Sequence, residues 1–237
     1  MNPFETTPDS RFQATSLATV GRVSTFLRRV YGWMFLGLAL TGLVAMGMAS
    51  NPAAVIGFAR NPVLFFGLII AELGLVVYLS ARVLKMSPAA AAGAFIAYAA
   101  LNGVLFSTIF LAYTMTSIAS TFFITAGMFG ALAVFGTVTK KSLAGIGSFV
   151  SMGLIGLILA MIVGMFVHSD GLQFAISIIG VIVFTGLTAW DAQRLKAMAV
   201  ATPEGVTGNI AILGALQLYL DFVNLFLFLL RFMGRRR

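Results

Sequence analysis

The chain of 237 residues has no cysteine, one histidine and few charged side chains. Without cysteine it forms neither a disulfide nor a thiolate metal site. Only 9% of the residues are charged, whereas soluble domains hold roughly 25%. Hydrophobic residues, by contrast, make up 60% of the chain. This composition excludes an ordinary soluble domain and indicates a polytopic membrane protein.

Seven stretches are long and apolar enough to cross a bilayer, whose core takes about 20 residues in helical form. They cover roughly residues 30–49, 63–83, 89–112, 117–138, 143–167, 172–190 and 209–233. The connections between them are short, so we expect one compact bundle. The sequence therefore predicts an all-α fold in which residues 25–237 form a seven-helix transmembrane domain.

Two segments outside these stretches are polar. Residues 1–24 lack the basic start and early apolar core of a secretory signal peptide, so we interpret them as a polar N-terminal tail. Residues 197–209 contain Pro203, Gly205 and Gly208 and are typical of a turn-rich connector. His168, in the turn "HSDG", is expected to be a surface residue and not a metal ligand.

The distribution of lysine and arginine predicts the orientation in the membrane. Four basic clusters fall on one side of an alternating seven-helix trace, which should be cytoplasmic together with the N-terminus. These clusters are Arg11, Arg22, Arg28 and Arg29; Arg82 and Lys85; Lys140 and Lys141; and Arg194 and Lys196. The net charge of +8 thus indicates membrane topology and contact with anionic headgroups. We expect no nucleic-acid partner.

The C-terminal arginines oppose this rule. Seven spans place Arg231, Arg235, Arg236 and Arg237 outside, whereas an incomplete or re-entrant last segment would bring them back inside. Because the earlier helices normally fix the topology, we expect the C-terminus outside.

An aspartate, Asp221, interrupts the last apolar stretch, "ALQLYLDFVNLFLFLLRF". A charged side chain at mid-bilayer costs about 2.5–3.5 kcal/mol on insertion scales, so it should face the bundle or water. Gln217, Asp221 and Asn224 follow one another at steps of four and three, which places them on one helical stripe. Gln217 and Asn224 have a second interpretation, as hydrogen-bonding contacts between helices.

A second acid, Asp191, lies near the end of the sixth stretch, in "TAWDAQRLKAM". It is about 10 Å from the end of its helix, and Asp221 is about 15–18 Å along the next helix from the same side. Two carboxylates in contact do not both ionise cheaply, so such a pair would share one proton. In the alternative interpretation, Asp191 faces water and pairs with Arg194 or Lys196.

Glu72 is the third acid inside a predicted span, in "VLFFGLIIAELGLVVYLSARV". Its depth argues against a solvated position, and a hydrogen bond to Asn102 or to a backbone carbonyl would satisfy it. Arg82, near the cytoplasmic end of the same helix, is a candidate partner for a buried acid. It has a second interpretation, as a residue that extends its charge to the membrane surface.

Long segments of the chain resemble the Bax-inhibitor (transmembrane Bax-inhibitor-motif) family. The likeness is carried by "IGVIVFTGLTAWDAQRLKAM", "ILGALQLYLDFVNLFLFLLRFMGRR", "RRVYGWMFLGLALTGLVA" and "TSIASTFFITAGMFGALAVFGTVTKKSL". It is strongest to the bacterial inner-membrane branch, the YccA/YbhL type, which implies a bacterial cytoplasmic (inner) membrane protein.

The resemblance implies a seven-helix fold whose last helix is central, and a pH-sensitive calcium leak gated by two aspartates on the sixth and seventh helices. These match Asp191 in "WDAQ" and Asp221 in "YLDF". An arginine on the second helix pairs with the aspartates in the family; Arg82 is the nearest match, although its spacing from Glu72 differs. Family members also restrain a membrane-anchored AAA protease or, in eukaryotes, suppress cell death.

Our working hypothesis is a channel and not an enzyme. The protonated pair holds the last two helices together, and the ionised pair separates and offers carboxylate oxygens to transient calcium, the permeant ion. No cofactor motif is present. Two alternatives are open: a protein that binds and restrains a membrane AAA protease, and an intramembrane aspartyl protease, whose Gly-x-Gly-Asp motif is missing from "LYLD".

Overall fold

The protein, represented by a computed structural model, is described for residues 8–167, 169–201 and 207–237, which are helical apart from short connections. In chain order the helices are α1 Pro8–Ala49, α2 Pro52–Arg60, α3 Pro62–Arg82, α4 Pro88–Phe106, α5 Ile109–Ala112, α6 Met115–Val138, α7 Ala144–Phe166, α8 Asp170–Ala201 and α9 Thr207–Met233. A 3-10 turn, Val83–Lys85, follows α3. Within this described part, seven segments are long and apolar enough to cross a membrane, which confirms the predicted all-α polytopic fold.

Three helices begin with a capping side chain followed by proline. Asn51, Asn61 and Ser87 precede α2, α3 and α4, and each side-chain oxygen accepts a hydrogen bond from a backbone N–H three residues further on, at 3.2–3.3 Å. Proline at the first helical position loses no hydrogen bond there, because that N–H has no acceptor within the helix. These short polar motifs therefore set the starts of apolar helices.

The last helix is the centre of the bundle, as predicted. In α9 72% of the membrane-spanning window is buried inside the protein, against 6% in the span that begins at Pro62. The helix packs against α8, α1, α6 and α4, whereas α7 packs mainly on α8. Because α9 lies inside a ring of apolar helices, a polar side chain on it is shielded from lipid.

The structure corrects three boundaries. The first helix begins at Pro8, so residues 8–24 of the expected polar tail are helical. The connection between the first two spans forms α2. Finally, α8 continues to Ala201, so the first part of the expected connector 197–209 is also helical. Residues 1–7, His168 and residues 202–206, with Pro203 and Gly205, lie outside the described residues.

The C-terminal residues are hydrogen-bonded to the start of α6 and to the turn that precedes it. The backbone N–H of Arg235 donates to Oγ of Ser117 at 2.8 Å, and the N–H of Arg237 donates to the carbonyl of Ala112 at 3.0 Å. This turn lies at the opposite end of the bundle from the 3-10 turn after α3. The last helix thus runs from one end of the bundle to the other, which favours a complete span over the re-entrant alternative.

Candidate functional site

Two aspartates on adjacent helices meet inside the bundle. The carboxyl groups of Asp191 on α8 and Asp221 on α9 lie within reach of one another, and the side chains are only 8% and 5% exposed. A carboxylate has no proton to donate, so a hydrogen bond between two carboxyl groups requires that one of them is protonated. This placement is suited to a pair of carboxyl groups that share one proton.

The pair lies deep in the membrane-spanning region. At 1.5 Å per residue, Asp221 is about 21 Å from the start of α9 and about 18 Å from its end, which is close to the middle of a hydrocarbon core about 30 Å thick. Asp191 is about 15 Å from the end of α8. That depth exceeds the 10 Å expected from the sequence because α8 extends to Ala201.

Apolar layers enclose the pair on both sides. Towards the connection between α8 and α9 lie Leu195, Ala215 and Leu216, which belong to the main core of the bundle. Towards the C-terminal end lie Leu187 and Leu225, which belong to a second core shared by α7, α8 and α9. The burial of Asp191 argues against the interpretation in which it faces water at a helix end.

The cation that acts on the pair is Arg194. Its charge interacts with the Asp191 carboxyl three residues earlier on α8, and its guanidinium lies 5.5 Å from the centre of the Trp190 ring. Arg82 instead is exposed at the end of α3. Over the described ranges it forms no ion pair with Asp191 or Asp221. The structure therefore does not bring Arg82 to the aspartates.

Two oxygen atoms on this face of α9 have no partner in the described part of the chain. They are Oδ2 of Asp221 and, one helical turn earlier, Oε1 of Gln217. Asn224 donates from Nδ2 to the carbonyl of Leu220 in its own helix, at 2.8 Å. Neither amide thus forms the contact between helices that the second interpretation required. The helical stripe of Gln217, Asp221 and Asn224 therefore places side-chain oxygen atoms next to the carboxyl pair.

Glu72 belongs to a separate polar group at the interface of α3 and α4. Its carboxyl faces the side chains of Tyr98 and Asn102, and Nδ2 of Asn102 donates to the carbonyl of Tyr98 at 3.3 Å. The sequence indicated Asn102 as a partner but not Tyr98. A tyrosine in an apolar helix is compatible with lipid-facing, interfacial and buried positions, so its role could not be read from spacing alone.

A further buried hydrogen bond joins α9 to α1. The hydroxyl of Tyr219 lies 2.8 Å from Oγ1 of Thr41, and the Tyr219 ring packs edge-on against Tyr98 with 5.9 Å between ring centres. Tyr219 is two residues before Asp221 on the central helix. The sequence analysis missed this contact, because Thr41 and Tyr219 are separated by almost the whole chain.

The residues after Asp191 hold α8 to the end of α6. Nε2 of Gln193 donates to the carbonyl of Lys141 at 2.9 Å, and its Oε1 accepts from the N–H of Leu143 at 2.8 Å. Nζ of Lys196 donates to the carbonyl of Thr137 at 2.6 Å. These contacts fix the helix that carries Asp191 beside its neighbour, a role that the sequence did not indicate.

The chemistry available here is that of carboxyl oxygens and a proton. Within the residues that the structure describes, no group of three or more histidine, aspartate or glutamate side chains could hold a metal ion. Oxygen atoms of carboxylate and amide groups are nevertheless the ligands that a hard cation such as Ca²⁺ takes. The arrangement is suited to brief contact with a passing cation and to exchange of a proton.

The fold and the site define a polytopic membrane protein of seven helices, whose last two spans share a buried carboxyl pair. Comparison with known families gives its particular identity. Residues 23–237 match the family described as "Inhibitor of apoptosis-promoting Bax1", and the chain belongs to this Bax inhibitor family.

The relatives include bacterial proteins of similar length. The chain is 48% identical over 218 residues to "Inner membrane protein YbhL" of Escherichia coli K12, covering 91% of this chain and 93% of the relative. It is 43% identical over 232 residues to an uncharacterized protein of Rickettsia prowazekii, covering 94% and 97%. It is 38% identical over 214 residues to the uncharacterized protein YrjE of Lactococcus lactis, covering 90% and 91%. The chain is a multi-pass inner membrane protein.

Proposed function

We propose that this protein is a pH-sensitive calcium leak channel of the cytoplasmic membrane, gated by the proton that Asp191 and Asp221 share. The observation that carries the proposal is the burial of these two carboxyl groups beside one another in the middle of the bundle. A buried acid pair inside a membrane is costly. Such a pair is expected where a proton or an ion passes, and a structural role alone would be met more cheaply by apolar residues.

The closed state follows from the protonated pair. The hydrogen bond holds α8 against α9, and the apolar layers around Leu216 and Leu225 block the passage of a hydrated ion. On this account the structure represents the closed, protonated state.

Loss of the shared proton provides the driving force for opening. Two like charges about 4 Å apart repel by about 4 kcal/mol at an effective dielectric constant of 20. A change of that size moves a closed–open equilibrium by up to about a thousandfold. The charged groups that face the pair in the described part of the protein are the two aspartates themselves and Arg194. Because Arg194 is exposed, it does not neutralise the pair, and a rise in pH favours opening.

The ionised pair also supplies ligands for the permeant ion. Oδ2 of Asp221 and Oε1 of Gln217, which lack partners in the described residues, add to the carboxylate oxygens released when the pair separates. Ca²⁺ takes oxygen ligands in flexible geometry, so mobile oxygens of this kind can replace water molecules around it for a short time.

Reconstitution in liposomes that contain a calcium dye tests the proposal. The wild-type protein should admit Ca²⁺ faster at higher pH, whereas the D191N/D221N variant should be slow at every pH. D170N is a matched control, because Asp170 is exposed at the start of α8 and should leave the flux unchanged. Equal flux through the wild type and the double variant would mean that the pair does not gate a calcium path.

A second candidate function is the restraint of a membrane-anchored AAA protease. The observation that favours it is the length of α1: its 42 residues extend about 63 Å, roughly twice the bilayer core. The first turns therefore project beyond the membrane, where a partner can reach them. In this case deletion of residues 2–18 would abolish co-purification of the protease with the protein but leave calcium flux unchanged. If the protease still co-purified after the deletion, the N-terminal segment would not have this role.

A further inference from the structure

We infer that the groove between α1 and α6 is a binding site for an anionic phospholipid, with the headgroup beside Arg28 of α1 and an acyl chain against Phe222 of the central helix. The inference concerns lipid binding and does not depend on whether the protein conducts calcium.

The groove exists because α1 and α6 both pack on α9 but have few direct contacts with one another. A cavity of about 900 Å³ lies between them, lined on α1 from Leu27 to Met46 and on α6 from Phe122 to Thr137. A second cavity of about 350 Å³ continues it towards the C-terminal end of the bundle. Phe222 lines both cavities and forms their floor.

The length of the groove suits an extended acyl chain. From Leu27 to Met46 the groove is about 28 Å long, which matches a hydrocarbon core of about 30 Å. An extended acyl chain therefore matches the groove in length.

The floor and walls of the groove are apolar and aromatic. The Phe222 ring lies 5.5 Å from the rings of both Phe122 and Phe129, measured between centres. The walls above them are open to the membrane: Phe35 is 74% exposed and Val134 is 62% exposed. At this groove an acyl chain from the bilayer can contact the otherwise buried helix α9.

Cationic side chains surround one mouth of the groove. Arg28 is three residues before Tyr31 and seven before Phe35, so it lies on the face of α1 that lines the cavity. Lys196 on α8 donates a hydrogen bond from Nζ to the carbonyl of Thr137 at the end of α6. Thr137 also lines the cavity. Lys140 lies three residues further along the chain, beyond the end of α6, and is exposed. A phosphate headgroup with a negative charge complements these cations.

Two glycines in the groove can be replaced by larger residues that fill the groove without disturbing the packing. A Cβ atom added at Gly42 on α1 or Gly130 on α6 would meet no atom within 4 Å. The same holds for Gly74 on α3, which is exposed on the outer surface away from the groove. G42L and G130L should therefore fold and block the groove, and G74L is the matched control.

Native mass spectrometry of the detergent-purified protein, with added dioleoyl phosphatidylglycerol or dioleoyl phosphatidylcholine, tests the inference. The wild type and G74L should retain phosphatidylglycerol about threefold or more over phosphatidylcholine, and G42L and G130L should lose most of both lipids. R28Q/K140Q, which changes only exposed side chains, should bind the two lipids equally.

Three results would overturn the assignment. The first is that the wild type retains the two lipids equally, and the second is that G42L and G74L bind the same amount of lipid. The third is that the wild type forms a dimer without lipid and the G42L substitution dissociates it. The last result would identify the groove as an interface between two copies of the chain.

Discussion

The hydroxyl of Tyr219 on the central helix donates its proton to Oγ1 of Thr41 on α1. The direction follows from the neighbours: the two oxygens are 2.8 Å apart, and the single proton of Thr41 is already donated to the carbonyl of Ala99, also at 2.8 Å. Because Tyr219 is fully buried, this bond fixes the position of α9 against α1 and α4 half a turn from Asp221.

This direction predicts unequal effects of removing the two partners. Tyr219→Phe should lower the free energy of unfolding by about 0.6 kcal/mol, as for an average hydrogen bond between membrane helices. Thr41→Val should lower it by about 1–3 kcal/mol, because the hydroxyl of Tyr219 and the carbonyl of Ala99 both lose a partner. Unfolding of the two variants and the double variant in detergent measures this. A larger loss for Tyr219→Phe than for Thr41→Val would show that the assigned direction is wrong.

The group around Glu72 gives a second stability prediction. Glu72→Gln keeps an oxygen that can accept from Tyr98 and Asn102, so the free energy of unfolding should change little. Glu72→Ala leaves both partners without that acceptor and should cost about 1–3 kcal/mol. The glutamine variant is the size-matched control, and the midpoint of thermal unfolding is the readout. Equal losses in the two variants would mean that the charge of Glu72, and not its hydrogen bonds, stabilises the protein.

The absence of cysteine makes the topology directly measurable. We predict that a maleimide that does not cross membranes labels Ser169→Cys and Arg237→Cys in spheroplasts, but labels Ser142→Cys only after the cells are opened. All three positions are exposed, and Ser142 lies at the opposite end of the bundle from the other two. Labelling of Ser142→Cys in intact spheroplasts would place the N-terminus outside and contradict the orientation inferred from the basic clusters.

Much of this architecture is predictable from the sequence, because lipid imposes simple rules. Apolar length gives the seven spans, and the cost of a buried charge directs Asp221 towards the interior. The spacing of Gln217, Asp221 and Asn224 predicts that they share one face of their helix. It does not predict which residues of neighbouring helices that face contacts, because a helical period contains no information about them.

Contacts between distant segments are what the sequence does not reveal. Gly136 resembles many other glycines of this chain, yet in the structure it lies directly against the backbone of Ala189, where any side chain would separate α6 from α8. Arg82 matches a family position by order along the chain, but its place at the exposed end of α3 follows from where that helix ends. Such positions depend on how helices are packed, which residue spacing within one helix does not encode.

The most direct test of the account is the pH dependence of calcium flux through the D221N variant. This change removes one titrating group and keeps a side chain that can hydrogen-bond to Asp191. We predict that flux through the wild type rises severalfold or more from acidic to alkaline pH as the pair loses its shared proton. Flux through D221N should be low and nearly independent of pH, because two like charges can no longer form. A D221N variant that retains the wild-type rise of flux with pH would contradict the account.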